Sequence, residues 1–411
     1  MAYNLDSIPQ IDQLLYDSTN RNDVAKSLNL KHNVWKHKNG SNYHILKYNK
    51  EWLSKELIPS HGLLRSLIYK DDGTVVCFAP PKSLPVAELK IDVDKKYVAE
   101  TFVEGTMINV FYDNQTSSWE IATKSNVGGK ACFFMENGFK PENTFKYMFD
   151  EVCQHVGLNV NSLNTRYVYS FVIQHPRNRI VQIIREMKLY LVEMYEIVDN
   201  KTINIVVVNN AADELESHGI PTTVELPIRT PINDDTELKQ CLETLVSSNT
   251  PYHVVGVVIK NGLGQRYKYR NPNYEHVRHL RGNHPKLQFQ YLSLRHEGKV
   301  GEYLQYYREH RNVFNEFRNV IHDYTNELFQ NYVKCYIKKE KQLTEFPEKF
   351  RTHMYYLHHE LYLKTLMPVN KYINKMEVIN YFNHLHPAKQ MFTLNFDVRK
   401  QFKDATKTDI V

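Results

Sequence analysis

Up to about residue 285 the chain alternates short apolar runs with polar turns. The runs "YHILKY", "TVVCFA", "GTMINVFYD", "YVYSFVI", "LYLVEMYEI", "TINIVVVN" and "YHVVGVVIK" are rich in β-branched and aromatic residues, as strands are. Between them "DDG" and "DNQTSS" supply turn residues. The pattern predicts a mixed α+β domain over residues 1–285. Beyond it the period changes: "VGEYLQYYREHRNVFNEFRNVIHDYTNELFQNYVKCYIKKEK" and "FRTHMYYLHHELYLKTL" space apolar and aromatic residues by three and four, which predicts amphipathic helices. Residues 286–411 are therefore expected to form an all-helical C-terminal domain, with its Tyr and Phe stripes in the core rather than on a ligand platform.

At 411 residues, 42% hydrophobic and 24% charged, with no low-complexity tract, the chain is long enough for two cores and is expected to fold throughout. No apolar run approaches the roughly 18–20 residues of a membrane span, and "MAYNLDSIPQIDQLLYDS" lacks the basic start and apolar centre of a signal peptide. A cytoplasmic protein with no membrane partner is expected. Cys77, Cys132, Cys153, Cys241 and Cys335 are scattered without a C-x-x-C pair, so reduced, mostly buried thiols are expected rather than disulfides or a zinc site. The 19 histidines include no H-E-x-x-H arrangement, and no metal site is expected.

A net charge of +6 permits binding to a polyanion without requiring it. Local clustering carries more information. Gly264–Lys286, "GQRYKYRNPNYEHVRHLRGNHPK", sets Arg266, Lys268, Arg270, Arg278, Arg281 and Lys286 among Tyr267, Tyr269 and Tyr274. Such interleaving suits phosphate pairing with base stacking, and it equally suits a solvated strand and helix face.

From about Arg65 to about Leu280, the order of the strands and their polar signatures resembles the T4-type RNA ligases of the covalent nucleotidyltransferase superfamily. Six segments carry the resemblance, in the family's order: "RSLIYKDDGTVVCFAPPKSLP", "FVEGTMINVFYD", "WEIATKS", "FVIQHPRNRIV", "VVGVVIK" and "YKYR". The resemblance implies an antiparallel-rich, ligase-like domain with a cleft. It also implies the family's chemistry: a lysine amine takes the adenylyl group of ATP while carboxylates hold a divalent metal and basic residues stabilise phosphate.

Carried over position by position, the motifs are degenerate. Phe102 stands where the family has its nucleophilic lysine, and Val172 and Val255 stand where it has glutamates; a slip of one residue would bring up Thr101 or Val103. No acid occurs between Tyr167 and Ile184 to restore the third motif in another register. Glu104 and Gly105 match the aspartate and glycine after the nucleophile, and Arg65, Lys82, Lys124, Lys268 and Arg270 match phosphate-contacting positions. The resemblance therefore implies a catalytically inactive protein that binds RNA or a nucleotide through a basic cleft and requires no cofactor.

One alternative is an active ligase using ATP, magnesium and a displaced lysine such as Lys90, Lys95 or Lys96. Another is a structural or assembly scaffold with no nucleic-acid ligand, using the helical domain for a protein partner. The variant motifs also resemble those of large DNA viruses, which implies the cytoplasm of an infected cell.

Overall fold

The computed structural model describes residues 2–36, 42–92, 94–132, 140–200, 202–208 and 215–408. Two compact units divide between Arg278 and His279. The strands of the first, in chain order, are β1 (Ala2–Asn4), β2 (Leu30–Lys36), β3 (Asn42–Tyr48), β4 (Leu67–Lys70), β5 (Val75–Phe78), β6 (Tyr97–Thr101), β7 (Thr106–Asp113) and β8 (Ser118–Thr123). They continue with β9 (Asn126–Val127), β10 (Tyr167–Gln174), β11 (Lys188–Asn200), β12 (Thr202–Val208), β13 (Arg229–Ile232), β14 (Gly256–Asn261) and β15 (Arg266–Arg270).

They pair into three antiparallel sheets: a large one in the order β1-β12-β11-β10-β7-β8-β9, and two of four strands, β2-β3-β4-β5 and β13-β6-β14-β15. The fold is thus mixed α and β with antiparallel sheets, followed by a helical region. Among the described residues no helix is long and apolar enough to cross a membrane.

Strand alternation explains how the large sheet packs on both faces. On β7, Ile108 and Val110 join one core with Phe171 and Ile173 of β10. Phe111, on the other face, joins a second core with Tyr43, Ile68 and Phe78 of the β2-β5 sheet. The first core is closed by the helix Phe145–Val156, whose buried residues Met148, Phe149, Val152, Cys153 and Val156 recur at helical spacing. Thr144 caps its start by accepting from the Tyr147 amide, and Gly157, at φ 72°, ends it in the left-handed conformation. A third core lies under the β13-β6-β14-β15 sheet, where Tyr97, Val257, Ile259 and Tyr267 meet Leu238 of the helix Asp235–Leu245.

The long pattern after residue 300 is broken in the structure into Val300–Tyr306 and Arg311–Tyr332. At the break, Tyr307 has φ −117° and ψ 63°, outside the helical region, while Tyr303, Tyr307, His310 and Phe314 stack into one buried aromatic column. The run "YHVVGVVIK" is strand only from Gly256, because a turn closes from the Val254 amide to the Pro251 carbonyl.

One buried ion pair ties the β2-β5 sheet to the large sheet. Lys70 Nζ lies 2.6 Å from Asp113 Oδ1, and the Tyr43 hydroxyl donates to Asp113 Oδ2 at 2.5 Å. Burial alone would raise the Asp113 carboxyl, but bonds from Lys70, Tyr43 and the Gln115 amide hold it below the ordinary carboxylate value. Its stabilising contribution is therefore present above the unfolded value near about pH 4 and lost as pH falls through the lower folded value. Asp113→Asn should cost about 3–5 kcal/mol at neutral pH by stranding Lys70. It should also flatten the loss of stability between about pH 5 and about pH 2. Urea unfolding across pH measures both, and an unchanged midpoint would show that the pair does not tie the sheets.

Candidate anion-binding cleft

β6 and β7 are consecutive in sequence but lie in different sheets, and residues 102–105 make the crossing. Two glycines permit it. Gly105 has φ +148°, and a Cβ there would meet the Ile173 carbonyl oxygen at 2.4 Å and the Val172 side chain at 2.7 Å. Gly256 has φ +130°, and a Cβ would meet the Tyr269 carbonyl oxygen at 2.1 Å. Between them the Phe102 amide donates to the Gly256 carbonyl at 3.1 Å, anchoring the crossing to β14.

A cavity of about 240 Å³ opens at this crossing. Its wall includes Phe102, Glu104, Gly105, Val172, Val255, Arg65, Lys268 and Arg270, all singled out from the sequence, together with Glu100 and Arg266. Lys82 and Lys124 are not in the wall; burial depresses both, followed by Arg270 and Arg65 for Lys82 and by Arg65 for Lys124. Of the alternative lysines, Lys90, Lys95 and Lys96 also lie outside the wall, and Lys95 is held protonated by Asp92 at 2.9 Å.

The acids near the cavity are already engaged. Glu104 is 4% exposed. Its carboxylate accepts from the amides of Val181 and Gln182 at 3.0 Å and from the Tyr274 hydroxyl, while burial keeps its pKa raised. It fastens the segment after β10 and is not open to a ligand. Glu100 binds Arg229 Nε at 2.9 Å and Lys260 Nζ at 2.5 Å. Lys260 also binds Glu193 of β11. Burial raises the Glu193 carboxyl, but Lys260 and Arg266 bring it net below its usual value. This donor set does not fit a divalent cation, since each carboxylate already faces a cation or amides. Among the described residues no cluster of His, Cys, Asp and Glu is placed to hold a metal.

The cations, in contrast, exceed their counter-charges. Arg266 is 4% exposed, and among the described residues its Nε and Nη1 have no hydrogen-bond partner. Lys268 Nζ lies 4.8 Å from the centre of the Phe102 ring, and the Arg270 guanidinium carbon lies 5.6 Å from it, a cation–π arrangement. Burial, with Arg266, Arg65, Arg270 and Lys82 nearby, pushes the Lys268 ammonium well below the usual lysine value. Arg270 stands at the rim and shares Glu275 with Arg278.

Strand alternation sorts the aromatic-basic segment. Arg266, Lys268 and Arg270 line the cavity, while Tyr267 lies in the opposite core with Tyr269 packed against it. Tyr274 is buried against Glu104. A base-stacking role for these three tyrosines is therefore not what the structure provides. Glu100, Glu193 and Lys260 were not singled out in the sequence, and Arg266 was named there only within the basic cluster, not among the motif positions. The signals were present: Arg266 shares the parity of Lys268, and Glu193 is an acid set between the apolar Val192 and Met194 of "LYLVEMYEI".

No family model and no curated protein matches the chain. Among solved structures it is similar to an archaeal ATP-dependent RNA ligase, at 13% identity over 75% of this chain and 74% of that one, with a TM-score of 0.40. A putative ATP-dependent DNA ligase from Aquifex aeolicus shares 12% identity over 77% and 76%, with a TM-score of 0.39. An RNA ligase mutant from Naegleria gruberi, with ATP and Mn, shares 13% over 63% and 83%, with a TM-score of 0.31. The structural neighbours of this chain are thus ATP-dependent RNA and DNA ligases of low identity.

Proposed function

We propose that this chain is a ligase-like protein without ligase chemistry, which binds RNA or a nucleotide by its phosphate in the cleft at Phe102. The observation that carries the reading is Arg266, buried with two unpartnered N–H groups in a wall that also holds Lys268 and Arg65. A buried donor left unpaired costs about 1–3 kcal/mol, and a phosphate oxygen would satisfy it through a charge-assisted bond. A phosphate would also offset the repulsion among Lys268, Arg65 and Arg270. Carboxylates that could recruit magnesium are engaged elsewhere, so the binding is metal-independent. The motif order supports a T4-type relationship, and a viral source and the cytoplasm of an infected cell follow from the motif resemblance alone.

Phe102 has no lone pair with which to attack a phosphorus atom, and Val172 and Val255 supply no metal ligand. One observation favours a second reading, an active ATP-dependent RNA ligase: the depressed Lys268 amine beside Phe102. ATP and magnesium enter only under that reading. Incubation with ATP labelled on its α-phosphate, with magnesium or manganese, should give no covalent adenylate in the wild type. Phe102→Lys should give almost none, because groups acting as a unit fail together. A labelled lysine located by mass spectrometry would establish the ligase instead.

The Lys268 environment is directly measurable. A lowered pKa means that the amine loses its proton at a lower pH than other lysines. In a ¹³C-methylated protein followed by NMR, the Lys268 resonance should titrate well below the ordinary lysine range and move upward when AMP is added. An ordinary titration unaffected by AMP would remove the phosphate site.

Binding to single-stranded RNA should weaken as salt rises, and Lys268→Ala with Arg270→Ala should lower the salt slope by about 1–2 units. Equal slopes, or no binding by the wild type at low salt, would leave the scaffold reading in its place.

A further inference from the structure

A second group of cations lies away from the cleft, where β2 and β3 pass the turn between β8 and β9. Lys31 and Lys47 are paired directly across β2 and β3, an arrangement in which like charges destabilise a sheet. Lys47 is only 9% exposed, and its Nζ donates to Ser125 Oγ at 2.8 Å. Among the described residues no carboxylate pairs with Lys31, Lys47, Lys50 or Lys124.

Lys124 Nζ lies 4.9 Å from the centre of the Tyr48 ring. Burial, then Arg65, Lys50, Lys47 and Lys31, bring it down to about 8. Lys82 is lowered in turn by burial, Arg270, Arg65 and Lys50. The cations therefore form a continuous series from the rim of the cleft to the outer edge of β2. Lys31, Lys47 and Lys50 precede every motif discussed above, so the ligase resemblance assigns them no role.

We propose that Lys82, Lys124, Lys50, Lys47 and Lys31 form a track for the sugar-phosphate backbone of a single RNA strand that enters the cleft past Arg270. The inference rests on the reading of the cleft as a phosphate site and adds the path of the strand. An extended row of cations without acids matches a chain of phosphates better than one compact anion. The recessed position of Lys47 and Lys124 suits a flexible strand, whose phosphates can dip between β3 and Ser125, better than a rigid duplex. Trp52, two residues after Lys50 and 61% exposed, offers a face on which a base can stack. The unfavourable Lys31–Lys47 pairing is a cost to the free protein that the strand relieves.

The test compares full-length wild type, Lys31→Gln/Lys50→Gln and Lys47→Met with two probes: AMP by calorimetry, and a single-stranded RNA of about 12 nucleotides by fluorescence anisotropy. The exposed double variant should bind the RNA at least about tenfold more weakly at moderate salt, with a salt slope lower by about 1.4 units. Both variants should bind AMP as the wild type does. Lys31→Gln alone should leave the melting temperature of the free protein unchanged or raised, which separates a lost ligand contact from a damaged fold.

Unchanged RNA affinity and slope in the double variant, with AMP binding intact, would overturn the track and leave the cleft reading standing. Failure of the wild type to bind either probe would overturn both. Competition by poly-glutamate as effective as by RNA of equal charge would assign the track to an acidic polypeptide and overturn the RNA proposal.

Discussion

Lys260 reaches from β14 to Glu193 on β11 and to Glu100 on β6, and Arg229 on β13 completes the network. The two acids are 3% and 6% exposed. A buried carboxylate is tolerated only when cations and hydrogen bonds compensate its lost hydration, so the large sheet and the β13-β6-β14-β15 sheet are fixed against each other at the point where the chain crosses between them. The cleft follows from this constraint. Residues 102–105 must change sheets beside the network, the close backbone contacts of Gly105 and Gly256 make room, and Phe102, Val172 and Val255 are left lining the space between the sheets.

The same network leaves the cleft electropositive. Glu193 and Glu100 are consumed by Lys260 and Arg229, with Glu193 shared electrostatically with Arg266, while Lys268 is depressed by burial and then by the cations Arg266, Arg65, Arg270 and Lys82. Val172 and Val255 add apolar surface to the same wall and no charge. The result is a pocket whose own charge favours an anion, and in which the phenyl ring of Phe102 receives the cations Lys268 and Arg270 on its face.

Much of this was legible in the chain. The strands of the large sheet follow the apolar runs because a half-buried strand must alternate, as Ile108, Val110 and Phe111 do. Motif order led to the expectation that Arg65, Lys82, Lys124, Lys268 and Arg270 would surround one cavity beside Phe102; Arg65, Lys268 and Arg270 line it, and Lys82 and Lys124 do not. What the sequence did not disclose depends on contacts distant along the chain. Lys260 and Glu193 are 67 residues apart; Lys260 ends the segment "VVGVVIK", but Glu193 lies outside every motif, so motif order does not pair them. Glu104 matches an aspartate position, yet its partners are amides 77 and 78 residues later, a pairing fixed by the path of the segment after β10. The interleaved tyrosines left base stacking and a plain strand face both open, and the period of a strand decides between them by putting Tyr267 and Tyr269 on the face opposite their basic neighbours.

The central claim is that this cleft recognises phosphate through fixed cations and without a metal. Calorimetric titration with AMP and with adenosine, each in EDTA and again in magnesium, tests it most directly. The account predicts that AMP binds and adenosine does not, and that magnesium leaves the AMP affinity unchanged. Equal binding of the two ligands, or AMP binding that appears only with magnesium, would contradict it.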